Sequence, residues 1–261
     1  MYKQIWSSSY ASVCQIVFHS GNGIRSTSIT GFKVEGFVVT DEFVYREGKY
    51  DYVVFRFVKE NGWEVALEVK MNYDKFLQRI LPIVKDEQEG FSLIDITGTK
   101  ICFLPNIKVA SSSQSSVGQS VNVLGYHCDQ DNLSLRQGVI SSFIYPGNGS
   151  AREYIQFNAS IKQGNSGSPL IRFDTGEVIG VVGYRLLALH KEYGHFKQII
   201  DDNLKVLKAA EGQTRVGDLD PIQVLIANQH QLRQLGKELY KLSHSSYGFA
   251  HKIDNLSKYL S

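Results

Sequence analysis

The chain has 261 residues, 43% of them hydrophobic, enough for one good-sized core or for two small ones packed face to face. Its 28 Lys and Arg against 26 Asp and Glu leave a net charge of +2, which makes no electrostatic case for nucleic acid as a partner. Some eighteen apolar residues in succession occur nowhere and no basic stretch leads into an apolar one at the start, so the reading is a soluble, cytoplasmic protein with no membrane partner.

Cys14, Cys102 and Cys128 are odd in number, widely spaced and without a CxxC pair. They suggest neither a disulfide framework nor a zinc site, and buried free thiols in a reducing compartment are expected. No metal and no cofactor is called for.

In chain order, 12–18, 30–39, 53–58 and 63–69 read as short strands separated by turn residues, with Asn61-Gly62 as a two-residue hairpin turn. Residues 72–84 suggest a helical turn stopped by Pro82, and 91–96 resumes strand. The run Ser111-Ser112-Ser113-Gln114-Ser115-Ser116 breaks the pattern and reads as a linker. Five further strand candidates follow, at 120–126, 134–144, 154–157, 169–172 and 177–184. Closely spaced strands of this kind favour barrels or sandwiches over βαβ units.

After Asp201-Asp202 the pattern turns helical. A heptad can be followed through Leu225, Leu232, Leu239, Ser246, Ile253 and Leu260, with Asn228, Leu235, Leu242, Phe249 and Leu256 at the second position. Unbroken, it would make a rod on the order of 54 Å long. Gly236, Gly248 and the segment 243–248 leave room for two helices instead. Residues 222–260 are therefore expected to pack as helices on the barrel or to serve self-association or a partner helix.

The stretch with chemical content is Gln163-Gly164-Asn165-Ser166-Gly167-Ser168-Pro169-Leu170. A serine that attacks a carbonyl needs backbone N–H groups beside it for the developing oxyanion, and glycine lets the main chain turn that closely. A plain hairpin turn is the alternative for Gly-Asn-Ser-Gly alone. With Tyr154–Ile161 leading in and IRFDTGEVIGVVGY (171–184) leading out, the segment resembles the second barrel of trypsin-like serine proteases of the high-temperature-requirement type. Gly118–Tyr126 with Gln137–Ser141 extends the resemblance, which covers roughly residues 10–205.

The resemblance implies a mainly β, two-barrel chymotrypsin-like fold, to which the helical pattern adds a C-terminal extension: 1–110 the first barrel, 111–205 the second, 206–261 the helical tail. It implies Ser166 as nucleophile, with the backbone of Gly164, Asn165 and Ser166 as oxyanion donors. In the family a histidine takes the serine's proton and a buried aspartate orients that histidine. Here Val38-Val39-Thr40-Asp41-Glu42-Phe43 puts Phe43 at the histidine position, and Gly90 of Gly90-Phe91-Ser92-Leu93 stands at the aspartate position. Asp86, Glu87, Glu89 or Asp95 could supply a carboxylate in a shifted register; His127 is the nearest substitute base, and Lys162 is weighed for a Ser–Lys dyad.

Phenylalanine has no proton acceptor, so the expectation is a pseudoprotease that binds a peptide or protein without cutting it. The resemblance gives Val182, Gly183 and Tyr184 to the strand that pairs with a peptide, Ser160 to the floor of the specificity pocket and Tyr193–Phe196 to its far wall. The alternatives are an active serine endopeptidase with a non-standard base, and a scaffold that oligomerises through its helices.

Overall fold

The computed structural model describes residues 2–21, 23–41, 49–81, 90–128, 130–145, 153–183, 187–213, 215, 217, 220–242 and 247–260, with the backbone alone at 187–192 and 241–242. Phe43, Tyr184 and the acids at 86, 87 and 89 lie outside the described residues. The chain divides into one unit of residues 1–184 and 246–261 and a second of 185–245.

A short helix α1 (Tyr2–Ser9) precedes β1 (Val13–Ser20), β2 (Ile24–Val34), β3 (Phe37–Asp41), β4 (Tyr52–Val58), β5 (Val65–Asn72), helix α2 (Tyr73–Gln78) and β6 (Phe91–Asp95). The six strands form an antiparallel sheet in the order β5-β4-β1-β2-β3-β6. Alternation along β1 sends Cys14, Ile16 and Phe18 into a core with Phe55, Phe57, Phe76 and Ile94, while Gln15 is buried on the other face. Asn72 caps α2, its side chain accepting the Asp74 N–H at 2.9 Å, which ends β5 and starts the expected helical turn. Asn61-Gly62 is not a two-residue turn. Val58 pairs with Val65, and the Asn61 side chain accepts from Trp63 and Glu64 N–H to shape a six-residue loop, 59–64.

The second half contributes β7 (Ser120–Tyr126), β8 (Leu133–Ile144), β9 (Tyr154–Phe157), β10 (Pro169–Arg172) and β11 (Val178–Gly183). Its barrel is closed, in the order β10-β11-β12-β9-β8-β7, where β12 is Gly248–Lys252. Val123, Ile140, Phe157, Leu170, Ile179 and Val182 fill its interior, and Phe32, Val39, Leu124, Tyr126, Ile171 and Val181 form the layer between the two halves.

Strand β12 marks the main difference from the sequence reading. The heptad does not run on to Leu260, because helix ends at Leu242 and Phe249 and Ile253 belong to a barrel segment. Ala250, Ile253 and Leu256 are buried, and β12 pairs with β11 on one side and β9 on the other. The two helices, α3 (Leu187–Ala210) and α4 (Pro221–Leu242), lie between β11 and β12 in sequence. Within that pair, Tyr193 stacks on Tyr240 with ring centroids 4.3 Å apart and Arg233 meets Asp201 at 3.3 Å. Tyr193–Phe196, expected as a pocket wall, are residues of α3 in the helical unit.

The serine-rich run is docked, not loose. Asp254 accepts the Ser112 N–H at 2.9 Å and the hydroxyls of Ser111 and Ser112, and Ser112 is buried. Burial pushes the Asp254 carboxyl up, but the hydrogen bonds from Ser111 and Ser112 prevail and hold it below the ordinary aspartate value. A depressed folded-state pKa adds stability that is present above the unfolded value, about 3.9, and fades as pH falls through the folded one. Asp254→Ala is therefore expected to cost about 1–3 kcal/mol at pH 7 in urea denaturation. The gap to the parent protein should narrow below pH 4; a gap independent of pH would contradict this role.

Of the cysteines, Cys14 is buried and burial raises its thiol pKa far above the ordinary range. Cys128 is half-buried and Cys102 exposed, against the expectation that all three are buried.

Candidate functional site

The serine loop leaves β9 and returns into β10. Gly164 and Gly167 have φ of +98° and +83°, in the left-handed region that glycine reaches without strain. A Cβ at Gly167 would overlap the Thr30 carbonyl and the Thr40 hydroxyl, so the loop lies directly against β2 and β3. Thr30 N–H donates to the Ser166 carbonyl at 2.8 Å, and the Thr30 hydroxyl donates to the Gly164 carbonyl at 2.8 Å. On the barrel side Gly167 N–H donates to Val182 O at 2.7 Å, and Val182 N–H to Ser168 O at 2.8 Å. Both main-chain groups of Val182 thus hold the loop, and Val182 offers no open edge to a peptide.

Asn165, fully buried, is the internal brace. Its side-chain amide donates to Tyr126 O at 2.7 Å, and its oxygen accepts from Lys162 N–H at 2.9 Å and from the Arg136 guanidinium. Arg136 also donates to His127 Nε2. His127 thus faces the brace. Burial pulls the Arg136 pKa below the usual arginine value. The Lys162 side chain is exposed, as is Ser160 just after β9. Asp95 accepts the Thr97 N–H at 2.8 Å, and hydrogen bonding from the Thr97 side chain, helped by that N–H, holds its carboxyl below the ordinary value against partial burial; it pairs with Phe37, at the far end of β3 from Asp41.

The Ser166 hydroxyl donates to the Asp41 carboxylate. Asp41 ends β3, two positions before Phe43, and is 1% exposed; Ser166 is 4% exposed. Its Cα partner is Phe91, and the residue before Phe91 is Gly90. A Cβ at Gly90 would overlap the ring of His251, and one at Gly183 would stand 3.0 Å from His251 Nε2. The imidazole, 4% exposed and carried on β12, thus fills the space between the two glycines, where the family's aspartate side chain is expected.

Of the residues singled out in the sequence, Gly164, Asn165 and Ser166 share the serine loop, Gly90 and Gly183 meet at the His251 ring, and His127, Lys162 and Ser160 take other roles or places. Asp41 and His251 were missed. The signal for Asp41 was its place at the end of Val38-Val39-Thr40; that for His251 was the β-type run Gly248–Lys252, which the overlapping heptad concealed.

Comparison with known proteins agrees with this architecture. The trypsin-like peptidase domain matches residues 14–181. Human serine protease HTRA4 is 28% identical over 177 residues, 65% of this chain and 33% of that protein, so the chain spans a third of the length of this curated relative. The solved HtrA-type protease AlgW with tripeptide superposes with a TM-score of 0.52 at 18% identity, covering 70% of this chain and 54% of that one. The domain match stops short of the helical pair and of β12, so His251 lies beyond it.

Proposed function

We propose, on the premise that this chain belongs to the trypsin-like peptidase domain family, that it is a pseudoprotease: a member that holds a peptide or protein partner without cleaving it. The observation that carries the reading is the hydrogen bond from Ser166 to Asp41. A carboxylate is a far weaker general base toward an alcohol than an imidazole. Phenylalanine at 43 adds no acceptor. Loss of the base leaves several powers of ten less rate, while binding does not need it. The tripeptide in the AlgW structure supports a peptide as the occupant, since main-chain pairing requires no triad. On this chain that pairing would start at Gly183 and not at Val182.

A second reading is favoured by the gathering of Ser166, Asp41 and His251: an active serine hydrolase with a rearranged set of groups. Covalent labelling by a fluorophosphonate separates the two. The expected result is no labelling of the folded chain above the level of Ser166→Ala. Labelling that vanishes in Ser166→Ala and in Asp41→Asn would overturn the pseudoprotease reading.

The helical unit supplies a further surface for a partner. On α4, Leu225, Leu232, Leu235 and Leu239 are 44–58% exposed, a seam at heptad spacing. Self-association or a partner helix at this seam belongs to the proposal. Light scattering on the full chain and on Leu232→Glu/Leu239→Glu tests it: a mass that drops to the monomer in the variant supports self-association, and identical monomeric masses rule it out.

A further inference from the structure

We propose that the first sheet carries a binding site, separate from the serine cleft, for a small ligand bearing an oxyanion, a phosphate or a carboxylate. The site is a cavity of about 340 Å³ on the face of the sheet opposite Phe18 and Phe55, with Val17 and Val54 in its lining. That volume is in the range of small-molecule sites, about 300–1,000 Å³.

Its walls are rich in donors. Arg25 and Arg56 both bind the same carboxylate, Asp131, at 2.6 Å each, so one negative charge serves two guanidiniums. The Nε atoms of both arginines are buried and have no hydrogen-bond partner among the described residues. The second carboxylate, Glu68, is half exposed and reaches only 3.9 Å from Arg56. A third cation, Lys70, lies over the Tyr52 ring, 3.5 Å from its centroid, and makes no ion pair with a described residue. Three fixed cations thus face two carboxylates in one half-enclosed space, where screening by water is weaker than on an open surface.

The cavity is also pre-arranged. His19 stacks on Tyr52 at 4.6 Å between centroids and 12° between planes, and its Nδ1 donates to the Gly23 carbonyl at 3.0 Å. With Lys70 also at the ring, Tyr52 is occupied and aromatic stacking of a ligand is not the attraction. With two carboxylates against three cations, the lining keeps an excess of one positive charge. An oxyanion between Lys70 and the guanidiniums would balance that charge and accept charge-assisted hydrogen bonds from them. Because no residue of the serine loop lines the cavity, this site stands or falls independently of peptide binding.

The test is an amide NMR titration of the full chain with inorganic phosphate, and separately with succinate, each against sodium chloride at equal ionic strength. The expected result is a saturable shift at Val17, His19 and Val54, with affinity lowered at least tenfold in Lys70→Gln and unchanged in Lys59→Gln, an exposed lysine paired with Glu64. Phosphate without succinate would assign a phosphorylated ligand, and the reverse a carboxylate. No saturable shift with either anion, or one that Lys70→Gln leaves unaltered, would overturn the proposal. Arg56→Gln is the second variant; Lys70→Gln keeps the test valid if loss of the Asp131 pair unfolds it.

Discussion

Gly90→Asp, which puts an acid at the position the sequence resemblance assigns to the family's aspartate, is expected to lose about 4 kcal/mol of stability. Gly90 has φ of +77°, where an L side chain is strained by roughly 1–2 kcal/mol. Its Cβ would overlap the His251 ring, and forcing extra atoms into a filled site costs about 1–3 kcal/mol more. The ring cannot withdraw freely, because β12 is paired along both edges, His251 with Val181 and with Tyr154. For a chain of this size each kcal/mol moves Tm by roughly 2–4 °C, so a fall on the order of 10 °C is expected. Adding His251→Ala removes the overlap and should recover more than half of the loss. Thermal and urea unfolding of the parent, the single and the double variant decide it. A single variant as stable as the parent would show that His251 does not occupy the vacated seat.

Ending the chain at Asp220 should abolish folding of the second barrel, whereas excising the helical pair should leave it intact. The truncation removes β12 and leaves β9 and β11 each with an unpaired edge inside what was a closed ladder. It also removes buried Ala250, Ile253 and Leu256, and the last two alone carry about 1.5–3 kcal/mol of burial each. With the lost hydrogen bonds this approaches the whole stability of an ordinary domain, about 5–15 kcal/mol. Excision is different. Val182 pairs with Ala250 and Gly183 with Phe249, so the two strand ends are direct antiparallel neighbours, about 5 Å apart. A short glycine-containing turn in place of 185–245 can join them as a hairpin. Circular dichroism and Tm of both chains are the measurement. A folded truncation, or an unfolded excision, would contradict the assigned place of β12.

Much of the fold was legible because strand and turn signals are local. The strands at 53–58, 120–126, 154–157 and 169–172, the helical turn capped by Asn72 and the serine loop all follow from alternation, caps and glycines read over a few residues. The loop 59–64 was misread because Asn61-Gly62 has the right residues for a tight turn, but the Asn61 side chain organises a wider one. The last strand was misread for a related reason. Phe249, Ile253 and Leu256 are apolar at spacings that suit a helix seam and also suit a strand followed by a turn, and periodicity alone does not choose between them.

The sequence by itself determined that a serine sits on a glycine-flanked turn between two strands and that an amphipathic helical stretch follows. Those are properties of residue type and spacing. Only the tertiary structure decided which groups stand beside Ser166 and beside Gly90. Asp41 and Ser166 are 125 positions apart and Gly90 and His251 are 161 apart, and they meet because β3 and β6 pair in one half while β12 closes the other. Chain closure over such distances is set by the packing of two sheets and not by any local pattern, which is why the sequence does not bring His251 to Gly90 and the fold does.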